Sequence, residues 1–528
     1  MDIETVNEQP KKKVSKKLIA LIIGALVLIG GTVSAFFLFN LSPKEQYFLA
    51  EKKSAEFISA QFKERFKSEM EWAEHTKENS VEQTVTLSAE YNDPFELIGD
   101  QTVQQMINNS ALTIKGATDL KNKVVLADLQ ANISDLELSG LQFYLTSEHF
   151  TIGLPFLNEL LQIDEKNFNK LLHEIDPYTF PDEETFKFDS FFEQISGTAL
   201  EEDLNYLKTE YLEFLYKELP KDAFTSTTEK ITIGNDDIKA DKITMDLSEK
   251  DVKSLLHTLF DKMQNDEKLK EMIETQLSAQ LGPQSIEVSE ILDEFEEGLQ
   301  LAKERLDTDL HIPNGITSTI WTKGDLIVQR DFSVELGPSE DDLLKLTVKG
   351  TQQLEKNKQS FDYDLGFTEF GMESTLNVKG DFALEKDKAT DSLTFAIDGS
   401  DFLSYKGTET QKGKTKDFER KFTVDIDYGF DSFGGSLIWS GQATYDKDKM
   451  NSEHNLSLDV EGLDPNMFSL LIKSNAKTIK KVKLPEDKPT KDIGTMSMDE
   501  LGEYIETDIV PQFEDWMFNT FGEFLGDF

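Results

Sequence analysis

LLKLTVKGTQQLEKNKQSFDYDLGF, residues 343–367, decides how the chain is read. Residues 343–353 and 359–367 alternate apolar and polar side chains, the period of a half-buried strand. Between them Glu355-Lys356-Asn357 carries turn chemistry, so the pair reads as a hairpin. The pattern continues on both sides, from Pro313 to about Glu461. Further candidate strands are 316–321, 325–335, 374–384, 391–399, 403–411, 417–427, 435–445 and 452–461. Turns at Glu385-Lys386-Asp387, Lys412-Gly413-Lys414 and Asp446-Lys447-Asp448 fall at even spacing. The expectation is a meander of antiparallel hairpins with one apolar and one polar face.

Toward the N-terminus the signals mix. Thr84-Val85-Thr86-Leu87 alternates, and strands are expected at 111–120, 124–133, 136–145 and 149–153, with a helix at about 95–108. Residues 155–310 read as mostly helical, with a strong helix at Leu200–Leu219 and others near 249–264, 267–281 and 286–306. A hairpin at 229–247 turns at Gly234-Asn235-Asp236-Asp237. Residues 44–78 place Phe48, Ala55, Ile58, Phe62, Phe66 and Met70 at helical spacings after a Ser42-Pro43 start. At the other end, Leu501, Ile505, Ile509, Phe513, Trp516 and Phe521 form one stripe.

Residues Leu18 to Leu41 run 24 positions without a charge. As a helix they span about 36 Å, enough for a hydrocarbon core of ~30 Å. Lys11, Lys12, Lys13, Lys16 and Lys17 precede the run with no acid among them. The sequence therefore predicts a single-pass span in the lipid bilayer, N-terminus cytoplasmic and the C-terminal region extracellular. A cleaved signal peptide ending at Val33-Ser34-Ala35 is the competing reading. The predicted fold class is α+β: an N-terminal transmembrane helix, then a large extracytoplasmic region with a long antiparallel β-meander sheet and packed helices. Its parts are a tail at 1–17, the span at 18–41, a juxtamembrane helix at 42–80 and a mixed strand and helix lobe at 81–312. A β-meander lobe at 313–476, a linker at 477–496 and a C-terminal amphipathic helix at 497–528 follow.

Composition excludes several functions. The 528 residues carry 55 basic and 100 acidic side chains, a formal charge of −45, which repels nucleic-acid backbones. There is no cysteine, hence no disulfide, thiolate nucleophile or Cys-ligated zinc. The six histidines, His75, His149, His173, His257, His311 and His454, are too dispersed for an HExxH helix site. Gly407-Thr408-Glu409-Thr410-Gln411-Lys412-Gly413-Lys414-Thr415 has five residues where a phosphate-binding loop has four, and it lies between strands, so it reads as a hairpin tip.

Asp236-Asp237 with Asp241, Asp182-Glu183-Glu184, and Asp446 with Asp448 offer oxygen ligands for structural calcium, but none follows the EF-hand pattern. Solvated turn chemistry is the default for each. Carboxylate pairs for glycoside hydrolysis cannot be ranked among 100 acids. No catalytic residue, metal ligand or cofactor is assigned. The 38 phenylalanines fit core packing, or the lining of an apolar groove between sheet and helices. Leu154, Phe156, Leu207, Phe214, Leu256 and Phe260 are the candidate lining residues.

The Lys-flanked span, the segment Ser42-Pro43-Lys44-Glu45-Gln46-Tyr47-Phe48-Leu49-Ala50-Glu51 and Thr495-Met496-Ser497-Met498-Asp499-Glu500-Leu501 together resemble a domain-of-unknown-function family of membrane-anchored proteins in Firmicutes. Strand Ile238–Leu247 followed by helix Val252–Phe260 is similar in arrangement to LolA/LppX-like envelope lipid-binding folds. Fold likeness does not carry function; the expected function is a non-enzymatic cell-envelope module that binds a ligand or partner, in its most concrete form a hydrophobic or lipid ligand in a sheet–helix groove. A cell-surface scaffold working through an envelope protein partner is the alternative, and a carboxylate hydrolase of wall polymer a third.

Overall fold

The computed structural model describes residues 41–92, 101–134, 136–176, 186–234, 236–281, 285–369, 371–427, 432–460, 467–483 and 488–525. The first strands are β1 (Val81–Tyr91), β2 (Ala111–Asp119), β3 (Val124–Ile133), β4 (Leu136–Thr146), β5 (His149–Gly153) and β6 (Leu160–Asp164). Then come β7 (Phe224–Ile233), β8 (Asp236–Leu247), β9 (Ile316–Lys323), β10 (Leu326–Ser339), β11 (Asp342–Glu355), β12 (Lys358–Glu369) and β13 (Met372–Glu385). The last are β14 (Lys388–Ile397), β15 (Ser400–Lys412), β16 (Thr415–Asp427), β17 (Ser432–Tyr445), β18 (Lys449–Val460), β19 (Phe468–Thr478) and β20 (Thr490–Asp492).

All belong to one 20-stranded sheet. Its spatial order is β7 through β19 in sequence, then β1 through β6, then β20. The joint that makes it one sheet is β19 against β1, antiparallel over the whole of both strands. Among the described residues only the β6–β20 pair is parallel. Among the described residues β7 and β20 do not pair with each other, so the sheet is open. Tight turns set the meander. Asp398 and Gly399 both have positive φ, 50° and 85°, the backbone that a two-residue hairpin between right-twisted strands requires.

These findings correct the α+β expectation. One mixed sheet runs through both the 81–312 and 313–476 segments and dominates the structure. The single-pass cell-membrane placement is corrected with it. Among the described residues no helix is long and apolar enough to cross a membrane. Of the expected span only Leu41 is described; residues 18–40 lie outside the described residues.

Helices close the two ends of the sheet on its apolar face. At the β7–β10 end, Phe260, Leu256 and Leu299 from helices Glu249–Gln264 and Ser285–Asp309 pack with Ile243, Ile316, Ile320, Val334 and Leu336 of the strands. At the β4–β6 end, Leu161 packs with Leu157 and Tyr504, the latter on helix Met498–Tyr504. Phe168 of helix Glu165–Ile175 meets the Phe150 ring at 6.2 Å.

Between these plugs one helix pair crosses the sheet: α1 (Pro43–Arg65) and α2 (Lys67–Glu78). Ser42 and Glu45 start α1 with a reciprocal capping box. From Tyr47, hydrogen-bonded to Ser318 of β9 at 2.7 Å, α1 reaches Arg65, which is paired with Asp391 of β14. Eighteen helical residues rise about 27 Å. Five strand intervals span about 24 Å. The helix therefore runs nearly perpendicular to the strands.

Candidate functional site

Cross-strand partners point to the same side of a sheet, so the register sorts every side chain by face. One ladder runs Val378, Phe395, Leu403, Val424, Gly435, Val460. A second on the same face runs Gly380, Leu393, Tyr405, Phe422, Leu437, Leu458. On the opposite face Lys379, Thr394, Ser404, Thr423, Ser436 and Asp459 are partners. The apolar face continues through Leu470 and Ile472 of β19, Leu87 of β1, Leu112 and Ile114 of β2, and Leu129 of β3.

Among the described residues, the large hydrophobic side chains exposed on strands are Ile133, Leu365, Phe367, Met372, Ile397, Leu458 and Phe468. All seven lie on that apolar face. A face made for core burial would hide them; these strands leave theirs open to solvent. Solvent-open apolar surface on one face of a sheet marks an interaction site. At the β1–β3 end, α3 (Gln101–Asn108) stands over the same face. There an apolar pocket of about 340 Å³ is lined by Leu87, Met106, Ile107, Leu112, Ile133 and Leu470.

The α1–α2 strap is fastened to this face by charge. Arg330 of β10 meets Glu51 of α1 at 2.6 Å, both largely buried. Burial pushes the Glu51 carboxyl up, and the Arg330 guanidinium opposes that shift. Lys416 of β16 reaches Glu69 of α2 at 2.7 Å and Glu409 of β15 at 3.1 Å. His75 bonds Thr478 at 2.8 Å, anchoring the end of α2 at β19. Beside the strap the Arg420 guanidinium lies over the rings of Phe418 and Trp439, 4.7 and 4.6 Å from their centroids. Trp439 donates to His454 Nδ1 at 3.2 Å. Burial, and then the Arg420 charge, hold His454 below its ordinary pKa.

The six residues named from the sequence fall into two separate clusters. Leu256 and Phe260 are fully buried, with Leu207 and Phe214 packed against the same plug. Leu154 and Phe156 pack at the opposite end of the sheet, where Phe156 meets Phe513 at 5.3 Å and Trp516 at 5.9 Å. The structure does not bring the two groups together. The open band between them was not named. Its signal was the alternation in the meander strands; which face would stay uncovered was not in that signal.

Other concavities carry less chemistry. A wide polar concavity of about 860 Å³ includes Ser248, Lys253, Ser254, His257 and Asp307. His257 lies 3.3 Å from Asp307, whose side chain is 70% exposed. Among the described residues no side-chain hydroxyl is hydrogen-bonded to that ring, so no nucleophile–base pair forms. Asp241 accepts from Thr228, Asp237 from Thr232, and Asp446 pairs with Lys414, which is turn and cross-strand chemistry. Asp182-Glu183-Glu184 lies outside the described residues. Among the described residues no group of three or more His, Asp or Glu could hold a metal ion.

No family model matches the sequence. No curated protein matches it either. Among solved structures, OccK5 (OpdH) of Pseudomonas aeruginosa is similar over 76% of this chain and 97% of its own, at 6% identity and a TM-score of 0.23. A BenF-like porin from Pseudomonas fluorescens Pf-5 is similar over 76% and 98%, at 8% identity and a TM-score of 0.24. OccAB3 of Acinetobacter baumannii is similar over 76% and 99%, at 8% identity and a TM-score of 0.22. Scores this low fix neither fold nor function.

Proposed function

We propose that the chain is a non-catalytic binding module whose ligand is hydrophobic and lies on the open apolar band of the sheet. The observation that carries this reading is the placement of all seven exposed strand hydrophobics on one face. The opposite face is polar along the ladder from Lys379 to Asp459, which suits water. Each end of the band is bounded by a helical plug, so the open surface is limited in extent.

The test is native mass spectrometry of the full chain, delipidated and then exposed to an uncharged stearoyl monoglyceride. Added mass that returns on exposure, and that falls with Leu458→Glu, supports the reading. A bare protein mass at saturating probe refutes it. In that case the apolar face is left to protein–protein contact, the scaffold alternative raised by the sequence.

A further inference from the structure

We infer that this band takes straight hydrocarbon chains and seats several of them end to end, across the strands. The inference rests on the hydrophobic-ligand reading and goes beyond it in ligand class and number.

Length is the first argument. Exposed apolar side chains lie on β12–β14 and again on β18, β19 and β3, from Leu365 and Phe367 to Ile133, with the half-buried Leu403, Phe422, Val424 and Leu437 between the two groups. Ten strand intervals separate β12 from β3, about 48 Å at ~4.8 Å each. Half of a ~30 Å bilayer core, about 15 Å, is the reach of one acyl chain. The band is therefore about three chains long. A single small ligand would leave most of it wet.

Chemistry is the second argument. The two apolar ladders carry one hydroxyl, Tyr405, and no charge from Val378 to Leu458. The strands beneath are paired on both sides, so a peptide finds no free backbone edge on this face. Where the strap meets the face, its charges are paired: Arg330 with Glu51, Arg65 with Asp391, Lys416 with Glu69 and Glu409, and Arg420 with Glu409. Along these two ladders the face carries no charge, which matches a hydrocarbon chain. The whole chain carries −45, so a second copy laid face to face is repelled.

The experiment uses the full chain and a photoreactive stearoyl monoglyceride carrying a diazirine on the acyl chain. Bound stoichiometry is read by native mass spectrometry, and adducts are mapped by peptide sequencing after irradiation. The expected result is more than one chain per protein at saturation, with adducts on both β12–β13 and β1–β3. Phe367→Glu should remove the first set and spare the second; Ile133→Glu should do the reverse. Both positions are solvent-exposed, and circular dichroism with thermal melts confirms that each variant folds. One chain per protein, with adducts confined to one end, overturns the inference while leaving the binding reading intact. No uptake at all overturns both, and a dimer that excludes the probe does the same in favour of a second copy.

Discussion

Leu365, Ile397 and Leu458 are 39%, 48% and 47% exposed, although each lies on a strand with a neighbour on both sides. Complete burial of such a side chain stabilises a fold by roughly 1.5–3 kcal/mol. With about half of that surface still in water, replacement by glutamine forfeits only about 1 kcal/mol at each position. The contrast is Leu336, on the same face but fully buried in the β7–β10 plug. Leu336→Ala should cost about 2–5 kcal/mol, because a cavity is added to the lost transfer energy. Urea unfolding reads both, with an unchanged slope reporting an intact fold. Binding should order the variants the other way. An amide set against a bound acyl chain costs about 1–2 kcal/mol, roughly a 5- to 30-fold weaker affinity for each band substitution. Leu336→Ala should leave affinity near that of the parent at temperatures where it is folded. If Ile397→Gln or Leu458→Gln costs 3 kcal/mol or more of stability, the band is interior and the reasoning is refuted. It is equally refuted if the chain carrying Leu365→Gln, Ile397→Gln and Leu458→Gln together takes up the probe like the parent.

Three other consequences can be checked in the same way. Glu51→Gln leaves the Arg330 charge buried without its partner and should cost about 3 kcal/mol, the low end for a buried pair because Arg330 is 20% exposed. Adding Arg330→Met should recover most of that loss, whereas simple additivity in the double-mutant cycle would show that the two do not act as a pair. His454 is held below its ordinary pKa in the fold, so the unfolded chain binds its proton more readily. Stability from this residue is present above about pH 6.5 and is lost as pH falls below it. The urea midpoint should therefore drop between pH 7.5 and 5.5 more in the parent than in His454→Gln, and equal drops would exclude His454 as the cause. Asp266 accepts from Tyr206 and Tyr211, each at 2.6 Å; burial pushes its carboxyl up, but those bonds hold it lower overall. Asp266→Asn should cost roughly 1.5–3 kcal/mol. It should also flatten the acid limb of the stability curve, since the Asp266 contribution is present above the ordinary carboxylate range and lost below it.

The meander was legible because its information is local. Alternation at 343–353 and 359–367 and the turn between them correspond to β11, β12 and their hairpin. Non-local pairings were not legible. Leu160–Asp164 has the composition of the helix read after Pro155, yet it is β6, held between β5 and β20. β20 itself lies in the Lys-rich linker, three residues paired only with β6. The union of β19 with β1 joins residues almost 400 apart and converts two expected lobes into one sheet. No period in the sequence encodes such a contact. The same holds for the candidate site. Leu154 and Leu256 both look like lining residues in sequence, and only the fold shows that one packs beside the C-terminal helix and the other in the plug.

The manner in which the strap is held explains why the band stays open. A helix meant to seal an apolar sheet would bury an apolar stripe of its own on it. α1 does this only at its start, where Tyr47, Phe48 and Ala50 are buried in the plug; farther along the strap Ile58, Phe62 and Met70 are 50%, 58% and 40% exposed. The strap is fastened instead by Glu51, Arg65 and Glu69 to Arg330, Asp391 and Lys416. Gly407 and Ala443, cross-strand partners of Asp391 and Lys416, are small and buried, which fits close approach of the helix there. Buried ion pairs are a weak source of stability but a strong source of registry. They fix the helix at discrete points along the sheet and leave Ile58 and Met70 of the strap, like the band residues, open to solvent. Apolar side chains left in water add little to stability. A hydrocarbon ligand that covers the band binds the folded chain and not the unfolded one, so it should raise the unfolding midpoint in proportion to the logarithm of probe concentration. A midpoint that does not move with saturating probe would refute the hydrophobic-ligand reading.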